Sequence, residues 1–393
     1  MLTHRQLFLQ YIAQTSEMPL MLEPKSAKGI YIYDINDKKY FDLISGISVS
    51  NIRHRNKTVI KAIKNQINKY LYLNVYGEYV IAPQVKFAEL LCSQLPVTLN
   101  SVYLVNSGAE ANEGAIKLAK RYTGRYEIIA FKNAYHGSTN GALSLMGNEE
   151  LKNKFRPLLP GIKFIEFNNE KDLELITTNT AAVIIEPVQG EAGVISPNNN
   201  FLLKLRERCT KTGALLIFDE IQTGFGRTGY LFAFQKYNVI PDMLTIAKAM
   251  GGGMPAGAFI SSKEIMTSLS KNPNLGHITT FGGHPVSAVA ALASLKYLIE
   301  NKIIENVEQK GALFEKLMCQ SKEIKEIRRN GLLIAIELES FDKVIKTIKN
   351  GLNNGIIVDW FLFNNKSLRI APPLIITEKE IKIASNKLLL SLK

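Results

Sequence analysis

The sequence predicts an α/β fold in which a mostly parallel sheet carries helices on both faces. From about residue 70 to 290, short apolar runs typical of buried strands alternate with segments of helical periodicity. Two of these runs end in ionisable residues, Asp219 and Lys248, as expected where strands meet a ligand at one edge of a sheet. The length of 393 residues exceeds one ordinary hydrophobic core, which favours two domains.

The composition indicates a globular protein of a reducing compartment. Its three cysteines are widely spaced and form no Cys-x-x-Cys pair or metal-binding pattern. Residues 1–16 lack a basic segment followed by an apolar one, and no run approaches the roughly 20 apolar residues that span a membrane. We therefore expect a cytoplasmic protein without a metal site and without a membrane partner.

The net charge of +13 raises the question of a nucleic-acid partner. Basic residues are spread along the chain and interleaved with acids, and the densest cluster covers only residues 53–57. This distribution argues against a nucleic-acid interface. A general positive field does favour the approach of an anionic cofactor and of carboxylate substrates.

The N-terminal segment predicts a short helix and then a β-hairpin. Two strand-like runs, residues 29–33 and 39–43, flank a turn at residues 34–38. Apolar residues at helical spacing then predict a helix over residues 58–70. The alternation of strands and helices begins after this helix.

A first candidate ligand site follows the apolar run at residues 101–105. Residues 106–109 lead directly into a helix that extends to about residue 122. The unpaired N–H groups and positive dipole end of such a helix suit a phosphate. Ser107 and Glu110 also have the spacing of a capping box, so a purely structural role is the alternative.

Two further strand ends carry polar side chains. Tyr135 and His136 follow the run at residues 128–131, and taken alone they are typical of a core aromatic and a hydrogen-bonded loop histidine. Glu186 directly follows the run at residues 181–185, which predicts a buried strand.

The strongest candidate pair is formed by Asp219 and Lys248. The runs that precede them, residues 214–218 and 243–247, are continuous and apolar, as in strands buried on both faces. Neighbouring parallel strands would place this acid and this amine in one crevice. Each residue alone also fits a structural role, Asp219 as a helix N-cap and Lys248 as a solvated lysine.

The C-terminal part predicts a smaller α+β domain. A helical pattern over residues 288–298 leads into strand-like runs at residues 331–338 and 367–373.

The residues around the central pair resemble a known enzyme family. They read Asp219-Glu-Ile-Gln-Thr-Gly-Phe-Gly-Arg-Thr-Gly229, then Pro241-Asp242, then Lys248-Ala-Met-Gly-Gly-Gly-Met-Pro-Ala-Gly257. This combination resembles the class III aminotransferases, the fold-type I pyridoxal-phosphate (PLP) family of the acetylornithine, ornithine and 4-aminobutyrate aminotransferases. The resemblance extends from about residue 20 to about residue 375. It implies a seven-stranded sheet in a large domain over residues 51–290, and a small domain over residues 291–393 with which residues 1–50 pack.

The resemblance also implies roles for single residues. Lys248 would form the Schiff base with PLP, and Asp219 would pair with the pyridine nitrogen of PLP. Because burial beside a cationic ring disfavours the charged form of Lys248, its neutral amine is free to attack an aldehyde. The resemblance also implies further cofactor contacts. Ser107, Gly108 and Ala109 would form a cup for the phosphate, and Tyr135 would stack on the ring. Glu186 would lie near the cofactor, and Gln222 would reach its phenolic oxygen. Thr280 would bind the phosphate of the neighbouring subunit's PLP, which implies a homodimer with shared sites.

The implied substrate contacts include one departure from the family. Arg369 matches the arginine that binds a substrate α-carboxylate, a task that suits its bidentate fork, and Glu191 matches the partner of that arginine. At position 138 the acetylornithine and ornithine aminotransferases carry an arginine that binds the α-carboxylate of the donor. Here the residue is Ser138. We therefore expect a donor whose distal end is not held by an arginine.

The expected function is amino-group transfer from an ω-amine or ω-amino acid to 2-oxoglutarate by ping-pong half-reactions. Alternatives within the family are an aminomutase, a racemase or a decarboxylase. A different class of alternative is a nucleotide-binding or scaffold protein that holds phosphate at residues 251–253 without catalysis. It lacks support, since neither Gly-x-x-x-x-Gly-Lys-Ser/Thr nor Gly-x-Gly-x-x-Gly accompanies those glycines.

Overall fold

The computed structural model describes residues 2–75, 77–198 and 200–393. The strands are β1 Pro24–Lys28, β2 Tyr31–Asp34, β3 Lys39–Asp42, β4 Ser101–Val105, β5 Glu127–Phe131, β6 Ile162–Ile165, β7 Thr180–Ile185, β8 Leu215–Asp219, β9 Met243–Ile246, β10 Gly257–Ser261, β11 Glu326–Asn330, β12 Leu333–Glu337, β13 Ile356–Ile357, β14 Asp359–Phe361 and β15 Asn364–Ile370. The α-helices are α1 His4–Tyr11, α2 Ser45–Ser48, α3 Lys57–Ile67, α4 Ala82–Cys92, α5 Gly108–Thr123, α6 Asn140–Ser144, α7 Phe201–Thr212, α8 Ala233–Tyr237, α9 Lys263–Thr267, α10 Pro285–Glu300, α11 Val307–Met318, α12 Phe341–Asn354 and α13 Glu378–Ser391.

The central sheet has seven strands in the order β4-β10-β9-β8-β7-β5-β6. Strands β6, β5, β7, β8 and β9 pair in parallel, and β10 runs antiparallel to both of its neighbours. The predicted α/β fold with a mostly parallel seven-stranded sheet is confirmed.

Helices cover both faces of this sheet because successive side chains of a strand point to opposite sides. Along β5, Ile128 and Ala130 join the apolar cluster under α5, whereas Ile129 and Phe131 join the cluster under α7. All four are fully buried. The continuous apolar run seen in the sequence is therefore the signature of a strand packed on two sides.

Two four-stranded sheets complete the fold. The predicted hairpin is formed by β2 and β3, and β13 from the C-terminal part adds to β3 in parallel. The other small sheet has the order β11-β12-β15-β14 and carries Arg369 on β15. The N-terminal segment is thus hydrogen-bonded to the C-terminal part, while the domain boundaries at residues 50 and 290 stay a prediction.

None of the helices in the described ranges has both the length and the apolar character needed to cross a membrane.

Candidate active site

Asp219 and Lys248 face one cleft, as the positions of the two strand ends predict. Strand β8 ends at Asp219, which lies opposite Thr245 in the parallel neighbour β9, and Lys248 follows two residues after β9. The cleft encloses about 420 Å³, within the size range of small-molecule sites. Of the predicted site residues, all but Arg369 and Thr280 line it: Ser107, Gly108, Ala109, Tyr135, Ser138, Glu186, Glu191, Asp219, Gln222 and Lys248.

Lys248 begins a 3₁₀ turn, Lys248–Gly251, and has a left-handed backbone with φ of +46°. Such a conformation costs a non-glycine residue on the order of 1–3 kcal/mol and is concentrated at functional sites. Burial lowers the pKa of the Lys248 ammonium, an effect that Glu191 opposes and Arg369 reinforces. More of the neutral amine is therefore present, which is the form a nucleophile requires.

The carboxylate of Asp219 is held by three donors. Its Oδ2 accepts from Nδ1 of His136 at 2.7 Å and from Nδ2 of Asn112 at 2.8 Å, and its Oδ1 accepts from the Ile221 N–H at 3.0 Å. Asn112 also donates to the carbonyl of His136 at 2.8 Å, so one amide joins strand β8 to the loop after β5. Asp219 is only 3 % exposed, and this network fixes its orientation.

Sequence reasoning did not assign Asn112 and treated His136 as an ordinary loop residue. A signal for Asn112 exists, because it lies one helical turn after Gly108 on the buried face of α5, where an amide needs partners. No comparable signal exists for His136, whose partner is 83 residues away in the chain.

The loop before α5 ends at the N-terminus of that helix, beside the cleft. Ser107 is the N-cap, and its Oγ accepts from the Glu110 N–H at 3.2 Å. The carboxylate of Glu110 reaches the N–H of Asn106 at 2.8 Å and not that of Ser107, so the alternative of a complete capping box is not realised. The free N–H groups at the start of a 16-residue helix therefore open onto the cleft.

Gly137 lies where two loops of the cleft pack against each other. Its φ is +124°, and a Cβ there would lie 2.7 Å from Cβ of Ala109. A glycine is required so that two loops of the cleft can pack together.

Glu186 joins the loops on either side of the cleft. Its carboxylate accepts from the backbone N–H of Tyr135 and of Gly190, both at 3.0 Å. Burial raises the pKa of Glu186 to about 7, with His136 opposing and Asp219 adding to that rise. Burial therefore favours the neutral form of this carboxyl group more than in an exposed glutamate.

Arg369 does not line the cleft because Glu191 covers it. The guanidinium is 2 % exposed, and its Nη2 donates to Oε2 of Glu191 at 2.7 Å. Burial alone would raise the pKa of Glu191, but the charges of Arg369 and Lys248 outweigh it and the pKa is lowered. Glu191 also accepts from Nε2 of Gln222 at 3.3 Å, which ties the pair to the cleft wall.

Thr280 lies apart from these residues. It is exposed and outside the cleft of its own chain, and its carbonyl accepts from the Tyr72 hydroxyl at 2.9 Å.

The residues present fit PLP. Among the described residues that line the cleft, two have a buried polar atom without a hydrogen-bond partner, Gln222 at Oε1 and His136 at Nε2. A helix N-terminus suits the phosphate, a carboxylate suits a cationic ring and a lysine with a lowered pKa suits the aldehyde. The described residues hold no group of three His, Cys, Asp or Glu side chains suited to a metal ion.

Comparison with known proteins gives consistent results. A family model described as aminotransferase class-III matches residues 11–392. The chain is 41 % identical over 373 residues to an acetylornithine aminotransferase of Methanocaldococcus jannaschii, covering 92 % of this chain and 91 % of the relative. It is 38 % identical over 363 residues to a LysW-aminoadipate semialdehyde/glutamate semialdehyde transaminase of Sulfurisphaera tokodaii, covering 91 % and 92 %. A solved structure of ornithine aminotransferase from Toxoplasma gondii, with partial occupancy of PLP, superposes with a TM-score of 0.89 at 31 % identity and covers 98 % of this chain and 93 % of that one.

Proposed function

Because the chain belongs to the class III aminotransferases, we propose that it transfers the amino group of a terminal amine to 2-oxoglutarate in two ping-pong half-reactions. Membership makes it a PLP-dependent aminotransferase similar to the acetylornithine and ornithine enzymes. The main support for the proposal is that Lys248, Asp219 and the N-terminus of α5 line the same cleft.

We infer the following roles within the cleft. Ser107, Gly108 and Ala109 would hold the phosphate, Tyr135 would cover one face of the ring, and Glu186 and Gln222 would lie at its edge. Bound PLP supplies an electron sink that stabilises negative charge on the donor carbon. Asp219 would keep the ring nitrogen protonated. Lys248 would hold the aldehyde carbon until the donor amine takes its place, and the freed Lys248 amine would then move the proton from the amine-bearing carbon of the donor to the former aldehyde carbon.

Arg369 and Glu191 would serve the two substrates in turn. The 2.7 Å pair keeps a buried cation neutralised while an amine without a carboxylate occupies the cleft. When 2-oxoglutarate enters, its α-carboxylate would replace Glu191 on Arg369, since a guanidinium binds carboxylates bidentately.

A panel of amines and ω-amino acids tests the reaction type. Each donor is mixed with the enzyme without an acceptor, and the absorbance of the bound cofactor is recorded. An aminotransferase shows a stoichiometric change that 2-oxoglutarate reverses, whereas an aminomutase, racemase or decarboxylase regains its original spectrum with donor alone. The names of the relatives are those of transaminases and do not favour these alternatives, nor a non-catalytic phosphate-binding protein.

The donor is proposed to be a terminal amine. At the end of the donor away from the amine, residue 138 is not expected to bind a carboxylate. Ser138 is exposed, and its Oγ lies 3.1 Å from the hydroxyl of Tyr135. Among the described residues that line the cleft, Lys248 is the only lysine or arginine. A serine in place of an arginine loses a charge-assisted pair of about 1–3 kcal/mol, or roughly 5- to 150-fold in affinity.

Ser138→Arg is expected to raise kcat/KM for N-acetylornithine or ornithine by roughly 5- to 150-fold. The kcat/KM for simple amines should stay unchanged or fall. Ser138→Gln is the matched control, because it adds length without charge. N-acetylornithine as the best donor of the unmodified enzyme would refute the proposal, and so would an equal loss on every donor in Ser138→Arg.

The working unit is proposed to be a homodimer in which Thr280 completes the neighbouring site. Its exposure outside its own cleft supports this role. Thr280→Ala should lose a hydrogen bond to a charged phosphate, about 1.5–3 kcal/mol, and so weaken PLP affinity about 10- to 150-fold in equilibrium dialysis.

Hybrid dimers distinguish a shared site from a local one. In a hybrid of Lys248→Ala and Thr280→Ala chains, sharing places both lesions at one site and leaves the other intact. Half of the wild-type activity with normal PLP affinity is therefore expected. Half activity with the weakened PLP affinity of Thr280→Ala would mean that each chain builds its own site.

A further inference from the structure

We propose that Asp359 is a positioning residue for Arg369, holding the guanidinium at Nε so that Nη1 and Nη2 meet the carboxylate of the 2-oxo acid. The inference rests on the proposed function, in which Arg369 binds that carboxylate. Asp359 has no part in the cofactor site or in the Glu191 contact, and it lies on a different strand from Arg369.

The sheet register places the two side chains together. Strand β14 runs antiparallel to β15, and Asp359 stands directly opposite Arg369. Opposed residues of an antiparallel pair have Cβ atoms about 4.5–5.5 Å apart, so the pairing is a property of the backbone. Oδ1 of Asp359 lies 3.3 Å from Nε of Arg369, in an ion pair not aligned as a hydrogen bond.

The remaining contacts of the guanidinium define its orientation. One face lies over the ring of Phe361, with Cζ 4.7 Å from the ring centre. Nη2 donates to Glu191 and, at 3.0 Å, to the Trp360 carbonyl. Nη1 is buried and has no hydrogen-bond partner within the described residues. Nε therefore faces Asp359, Nη2 binds Glu191, and Nη1 is the nitrogen left without a partner.

This arrangement makes one edge available for substrate. Glu191 belongs to the loop after β7 and lines the cleft, whereas Asp359 is carried by strand β14 outside the cleft lining. Once Glu191 leaves, the Nη1–Nη2 edge can take a carboxylate through two parallel N–H groups. Asp359 then remains as a counterion, so the buried cation is not left unpaired when Glu191 moves.

The charge of Asp359 depends on the groups around it. Burial raises its pKa to about 6, with Arg369 opposing the rise and Glu191 and Asp42 adding to it. The ion pair with Arg369 therefore favours the charged carboxylate, whereas burial disfavours it.

Asp359→Asn in the holoenzyme is the test, because it removes the charge and keeps the shape. We expect KM for 2-oxoglutarate to rise about 3- to 30-fold, because one charge-assisted hydrogen bond between Arg369 and the carboxylate would be misaligned. The rate of the donor half-reaction, measured with the best amine of the panel, should stay unchanged because Glu191 then covers Arg369. The control is Glu337→Gln, a carboxylate in the same sheet that pairs with Arg328 at 2.6 Å.

Other outcomes have distinct meanings. An unchanged or lowered KM for 2-oxoglutarate in Asp359→Asn overturns the inference, and so does an equal slowing of both half-reactions. Arg369→Gln tests the proposed function separately, since it should raise the same KM by a larger factor. If Arg369→Gln leaves that KM unchanged, Arg369 does not bind the 2-oxo acid, and the substrate-binding part of the proposed function is wrong.

Discussion

Replacing Lys248 with alanine is expected to abolish turnover and to remove the visible absorbance of the lysine-linked cofactor. Lys248 is proposed both to bind the aldehyde and to carry the proton, and loss of a positioned proton carrier alone costs about 10²- to 10⁴-fold. A loss at or beyond the upper end of that range is therefore expected in single-turnover measurements with excess PLP.

Two companion experiments distinguish the loss of the Lys248 amine as a proton carrier from the loss of its positive charge. Lys248→Arg keeps a cation at the same place but cannot release its proton at neutral pH, so it should be equally inactive. A small amine such as methylamine should partly restore proton transfer in Lys248→Ala, because the shortened side chain leaves space beside the cleft. Full turnover together with an intact visible band in Lys248→Ala would exclude Lys248 from the mechanism.

Asp219→Asn is expected to retain the cofactor and to slow the donor half-reaction about 10²- to 10⁴-fold. The amide lacks the charge that would keep the ring nitrogen protonated. Its single oxygen also cannot accept at both positions, from His136 and Asn112 on one side and from the Ile221 N–H on the other. Stopped-flow absorbance with donor alone measures the step directly.

Asp242→Asn provides the matched control. Asp242 stands at the other end of the same strand pair, where its Oδ2 accepts from Arg206 and from the Leu216 N–H, both at 2.7 Å. It should leave the half-reaction rate unchanged even if stability falls. Equal rates in Asp219→Asn and the wild type would show that Asp219 does not act on the cofactor.

Much of the fold was predictable because buried parallel strands leave a simple pattern. The apolar runs before Asp219 and Lys248 became β8 and β9 with boundaries within one residue of those predicted. Parallel pairing then brings their carboxyl ends together, so the meeting of acid and amine followed from topology alone. The antiparallel course of β10 has no such pattern and was not predicted.

The supporting contacts of the site were not predictable in the same way. Asn112 reaches Asp219 across 107 residues, and Asp359 reaches Arg369 only through the register of a sheet. Such contacts depend on tertiary packing, which local periodicity does not encode. The roles given to single residues come from the family resemblance and stay proposals.

The chain contains one tryptophan, Trp360, and it lies at the pair formed by Glu191 and Arg369. Its carbonyl accepts from the guanidinium, and two residues later the Leu362 N–H donates to Glu191 at 3.1 Å. All indole fluorescence of the protein therefore originates beside the contact that is proposed to open for the 2-oxo acid. Displacement of Glu191 can therefore be followed as a change in tryptophan emission. No added label is needed, and no other tryptophan contributes to the signal.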